Sequence, residues 1–195
     1  MDLHTWMLND VADVRRRLRG VLDGVPTEHW KDPAPGGGPS LAHLALHLAR
    51  HQDLAVTTAV RDHPPRYLAR RDALGLGEQP VWAAIGEDED RNVTAAVVPE
   101  TLGAYVDEVF DSTTAWLERL GSLVLDSVPD TPRRLRDHAG IPESMDWLVA
   151  MWSAKPVWWL VQWPVIGHGH AHVGQASAVR AALGFSPFAK PAAPR

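Results

Sequence analysis

Four stretches of this chain place apolar residues at steps of three and four, a spacing that commits each to an α-helix with one face turned inward. The first runs from Leu3 to Leu22, with Met7, Val11, Val14, Leu18 and Val21 on one stripe, and Gly24 and Pro26 stop it. The second opens behind Ser40, whose hydroxyl suits a helix N-cap, and continues from Leu41 to about Arg61. Its inner face is Leu44, His47, His51, Leu54 and Thr58, and His63-Pro64-Pro65 ends it. The third opens at Pro99 and keeps Leu102, Val106, Val109, Thr113, Trp116 and Leu120 in register, with Gly121 as its stop. The fourth starts somewhere between Met145 and Pro156 and ends at Leu183, capped by Gly184. Val161, Val165, His168, His172, Ala176, Val179 and Leu183 share its stripe. Pro164 predicts a kink there that releases the carbonyl of Leu160.

The fold class that follows is all-α, a four-helix bundle with long connections. Residues 31–39 (KDPAPGGGP) are a loop by composition. Residues 66–99 form a long connection in which RRDALGLGEQP is turn-like, VWAAIG is one helical turn or a short strand, and NVTAAVV has strand character. A connection of that length suggests a segment that crosses the bundle or covers a site. Residues 122–146 read as a second connection, broken up by Pro129, Pro132 and Pro142. The chain divides into one domain, 1–186, and a mobile tail, 187–195.

Composition removes several functions. The net charge is −5, and the one basic run (Arg15, Arg16, Arg17, Arg19) is flanked by Asp10, Asp13 and Asp23, so it reads as a solvated helix face. No basic face suited to nucleic acid is evident. There is no cysteine, which excludes disulfides, thiolate metal ligands and a cysteine nucleophile. The N-terminus lacks a basic segment followed by an apolar core, and no apolar stretch is long enough to span a bilayer. The cytoplasm is the expected compartment, with no membrane partner.

Histidines carry the chemistry. His43, His47 and His51 are spaced by four on the second helix, and His168, His170 and His172 fall within five residues near the end. Imidazoles four apart on a helix reach one ion from the same face. His47, His168 and His172 also continue the apolar stripes of their helices, so they face the interior, where a shared metal satisfies several imidazoles at once. A hydrogen-bonded core histidine is the plainer reading of any one of them. His43, His51 and His170 read as surface groups or as supports behind the ligands, and His51, one turn from His47, is also a candidate fourth ligand. A β-strand through HGHAH would instead send His168, His170 and His172 to one side, and Gly167 and Gly169 suit a helix poorly. The helical spacing of VGQASAVRAALG favours the helix.

Two motifs in this pattern resemble those of the DinB/YfiT-like proteins. Ser40-Leu41-Ala42-His43-Leu44-Ala45-Leu46-His47 matches a serine cap followed seven residues later by a histidine, and His168-Gly-His-Ala-His172-Val-Gly174-Gln175 matches HxxxHxGQ. The resemblance extends from about residue 3 to 185. It implies a four-helix bundle of unusual topology, often a homodimer, and a divalent metal (Zn, Ni or Fe) on His47, His168 and His172. It also implies a group of thiol-dependent transferases and isomerases, alongside many members without known activity. His51, His170 and the long connections depart from the family pattern.

Three imidazoles leave positions open on an ion, as in catalytic rather than closed structural sites. The expected partners are a low-molecular-weight thiol and an electrophilic substrate, the thiol coming from outside because the chain has none. A metal- or small-ligand-binding module without catalysis is the alternative, and a hydrolase using metal-bound water is a third. The catalytic residues are unknown at this level. Asp107, Glu108 and Asp111 are base candidates that also read as exposed helix charge. Trp147, Trp152, Trp158, Trp159 and Trp163 crowd the approach to the histidines and suit a small-molecule wall, an interface or the core.

Overall fold

A computed structural model describes residues 2–82, 87–121 and 124–186, with the backbone alone for 87–91; these residues are helices and connections, without a strand. The expected tail at 187–195 lies outside the described residues, as does most of VWAAIG. The long elements are α1 (Leu3–Leu22), α2 (Leu41–Asp53), α5 (Pro99–Glu118) and α9 (His168–Ala182). Both α1 and α2 pack on α5 and on α9, so the four surround one core. Met7, Val14, Leu44, Leu48, Val106 and Val173 are buried in it. Asp2 caps α1 by accepting from the Thr5 N–H, and Ser40 caps α2 by accepting from the His43 N–H at 3.1 Å.

Beyond Asp53 the second helix widens into a π-helical segment, Leu54–Val60, and stops at Asp62, which adopts a left-handed φ of 60°. That conformation is compatible with Asp, and its carboxylate is held by Arg133 at 2.8 Å and His138 at 2.8 Å.

The connections hold more helix than their composition suggests. NVTAAVV is not a strand: α4 (Glu87–Ala96) continues through most of it. Val93, Thr94 and Val97 are buried while Ala95, Ala96 and Val98 are exposed. Such a pattern is one helical face, and β-branched residues serve it because tertiary burial overrides their propensity. Residues 66–99 also contain the short α3 (Tyr67–Arg70). Within 122–146 lies α6 (Thr131–Ala139), capped by Asp130 and closed by Gly140 at φ 61°. Pro132 starts this helix rather than breaking it, because the first turn has no N–H partner to lose. Thr131, Leu135 and Ala139 bury one face of α6 against the π-helical end of the second helix.

The fourth helix is interrupted. It comprises α7 (Asp146–Trp152), α8 (Val157–Val161), a π-helical segment (Gln162–Gly167) and α9. Extended Ser153 and left-handed Ala154 (φ 55°) separate α7 from α8. The third helix ends at Glu118, with Arg119 as its cap, so Gly121 is not its stop.

Candidate metal centre

Where α2 faces α9, three imidazoles meet. The Nε2 atoms of His47 and His168 are 3.2 Å apart, and those of His168 and His172 are 2.9 Å apart. One nitrogen from each of the three lies within 4.8 Å of the others. Nitrogens at about 2.0–2.1 Å from one tetrahedral ion stand roughly 3.3–3.4 Å from each other, so this spacing is close to that of a shared cation.

The protonation states point the same way. Burial pushes His47 and His168 down to about 2, and burial also lowers His172. All three are therefore neutral at physiological pH, the state in which imidazole ligates. Protonation of the cluster is strongly disfavoured, and one cation shared by the three nitrogens would satisfy them together. The residues fit a cation.

His172 shows how one of the three rings is oriented. Its Nδ1 lies 2.6 Å from Gln175 Oε1, an acceptor, so Nδ1 carries the proton and Nε2 the lone pair. The glutamine of the HxxxHxGQ motif thereby sets the tautomer of the histidine one turn before it. The Nδ1 of His168 is buried and has no hydrogen-bond partner among the described residues.

Glycine in the motif has a packing cause. A Cβ on Gly169 would lie 2.8 Å from Val14 Cγ1, so its absence lets α9 approach α1 closely. The residue that favoured a strand by composition serves a helix–helix contact instead.

His51 is close to the three and does not belong with them. Its ring stacks on His168 at 3.9 Å and meets the buried Trp152 edge-on at 5.0 Å. Its Nδ1 is 3.2 Å from the Pro164 carbonyl. That carbonyl is available because the helix is wide here: the His168 N–H, which an α-helix would direct to Pro164, is directed to Trp163 and Val165. His43 stacks on His47 at 5.8 Å but contributes no atom to the cluster, and neither does His170.

Beside the histidines is a cavity of about 160 Å³. His47, His51 and His168 form its polar side, with Arg50 near by, and Leu54, Leu148, Met151, Trp82, Trp147 and Trp163 supply apolar wall. Arg50 has its guanidinium 5.2 Å from the Tyr67 ring and 3.4 Å from the Pro80 carbonyl. Among the described residues no carboxylate lines this cavity.

Of the aromatic group, Trp147 and Trp163 reach the cavity, and Trp152 packs wholly inside. Trp158 and Trp159 pack against the core, with Lys155 over the Trp159 ring at 5.1 Å. Trp82, Met151 and Leu148 were not legible as site residues. Trp82 comes from a turn, and its one signal was a large aromatic in the short apolar run VWAAIG.

The base candidates lie elsewhere. Asp107 and Asp111 pair with Arg15 at 3.2 and 2.6 Å, and Glu108 pairs with Arg66 and Arg70 at 2.8 and 2.7 Å. All three line an open groove of about 840 Å³ that contains none of the histidines. Arg16 and Arg17 pair with Asp13, as expected of a solvated face.

No described helix is long and apolar enough to cross a membrane. The family described as the DinB superfamily matches residues 11–176. No curated protein and no solved structure matches the chain.

Proposed function

Since the chain belongs to the DinB superfamily, we propose that it is a four-helix bundle of the DinB/YfiT-like type holding a divalent ion (Zn, Ni or Fe) on His47, His168 and His172, and that it activates a low-molecular-weight thiol toward an electrophile. The observation that carries this reading is the convergence of three neutral imidazole nitrogens at the edge of a largely apolar cavity. Bound there, the ion supplies Lewis acidity and lowers the pKa of a coordinated thiol. The chain's own residues do the rest. Gln175 fixes the His172 tautomer, the indoles of Trp82, Trp147 and Trp163 supply apolar wall, and the absence of cysteine leaves an outside thiol free of internal competition.

Cobalt substitution tests it. Adding bacillithiol, mycothiol, glutathione or cysteine to the Co²⁺ form is expected to produce a sulfur-to-metal charge-transfer band with at least one of them. A spectrum unchanged by all four removes the transferase reading.

One observation favours a second reading, a metal- or ligand-binding module without catalysis: among the described residues no carboxylate lines the cavity to serve as a base. That module predicts stoichiometric metal with no thiol band. The homodimer belongs to the same proposal, and sedimentation equilibrium checks it directly.

A further inference from the structure

We infer that the cavity beside the three histidines is the seat of a compact, uncharged aromatic group bearing one hydrogen-bond donor, and that His51 Nε2 receives that donor. This rests on the thiol-transfer reading only in naming the occupant as the electrophilic substrate's apolar part.

Size sets the first limit. At about 160 Å³ the space is close to the roughly 150 Å³ of an apolar cavity that accommodates benzene. A single ring fits. A thiol carrying a sugar or a peptide does not, so it must approach from the mouth, where Trp147 and Trp163 stand 50% and 44% exposed.

Wall chemistry sets the second. Indoles, thioethers and leucines surround the occupant, and indole faces favour offset or edge-on aromatic contact. Among the described residues Arg50 is the one cationic group at the cavity, and it is engaged with the Tyr67 ring and the Pro80 carbonyl.

Orientation comes from His51. Because the Pro164 carbonyl can only accept, the Nδ1 of His51 carries the proton and its Nε2 keeps a lone pair. The two nitrogens point away from each other across the ring. Nε2 has no hydrogen-bond partner among the described residues, and His51 lines the cavity. A donor on the occupant supplies what this nitrogen lacks. His51 therefore acts on the occupant, not on the metal.

Calorimetric titration of the metal-loaded chain with phenol, toluene and benzoate tests the assignment, with metal per chain measured for each variant. Phenol is expected to bind about tenfold more tightly than toluene, the scale of one hydrogen bond. His51→Ala should equalise the two, and Trp163→Ala should weaken both. Failure of all three probes to bind overturns the assignment, as does a preference for phenol that survives in His51→Ala. Benzoate binding most tightly also overturns it, since Arg50 would then select the ligand. The thiol reading is judged separately: a thiolate band on Co²⁺ without aromatic binding leaves that reading intact and sinks this one, and the converse holds.

Discussion

A neutral imidazole has one donor and one acceptor, so each histidine near the centre is defined by what its second nitrogen meets. His172 gives a proton to Gln175 and His51 gives one to the Pro164 carbonyl, but only His172 has its remaining nitrogen in the cluster. His47→Ala, His168→Ala and His172→Ala should each abolish stoichiometric metal after dialysis against a weak chelator. His43→Ala, His170→Ala and His51→Ala should retain it. Elemental analysis decides, and loss of the ion in His170→Ala with retention in His172→Ala would show that the helical register of α9 is wrong. The same rings make stability depend on pH. Their folded pKa values lie below the ordinary 6.5, at about 2 for His47 and His168 and about 4 for His51. Between those values and 6.5 the unfolded chain binds more protons than the folded one. The stabilisation is full above about pH 6.5 and falls as the pH drops below it. Urea midpoints of the metal-free chain should therefore decline from pH 7 to pH 5, and less so in a His47→Gln, His168→Gln double variant. A flat profile in the parent would contradict the buried, neutral assignment.

Elements were legible where burial is one-sided and ran into difficulty where it is local. α1 was readable to its ends because Met7, Val11, Val14, Leu18 and Val21 repeat without interruption. Ser40 and His47 were readable because a cap and an inward stripe fix the register of α2. By contrast the described side chains of α4 bury only Val93 and Thr94, with Val97 just beyond its end, and α6 buries Thr131, Leu135 and Ala139. Valine-rich or proline-containing sequence conceals faces that short. The widening at Gln162–Gly167 was foreseeable only as a kink at Pro164, and its use, a carbonyl for His51, required the packing of α2 against it. Gly169 gives the element-scale prediction. Alanine improves helix propensity by about 1 kcal/mol, but its Cβ would stand 2.8 Å from Val14 Cγ1, and overpacking costs roughly 1–3 kcal/mol. Gly169→Ala should lower the urea midpoint, and its loss combined with Val14→Ala should be smaller than the sum of the two single losses, because the new Cβ fills space the valine vacates. Gly169→Ala as stable as the parent would mean that α1 and α9 do not approach this closely.

Across the whole molecule, the candidate ligands join segments far apart in the chain: His47 comes from α2, and His168 and His172 come from α9, 121 residues beyond His47 by the His47–His168 separation. An ion on all three ties together two helices that already pack, and the unfolded chain offers no such arrangement. Binding free energy therefore becomes folding free energy. At free metal about a hundredfold above Kd the stabilisation is about 2.7 kcal/mol. In a chain of this size each kcal/mol moves Tm by roughly 2–4 °C, so chelation should lower Tm by about 5–10 °C. Scanning calorimetry of the parent with and without a strong chelator measures the shift. His47→Ala should melt at one temperature in both conditions, because the site has lost the ligand from α2. A parent whose Tm ignores the chelator, with the ion shown by elemental analysis to be gone, would mean that the three imidazoles do not couple α2 to α9 through a metal.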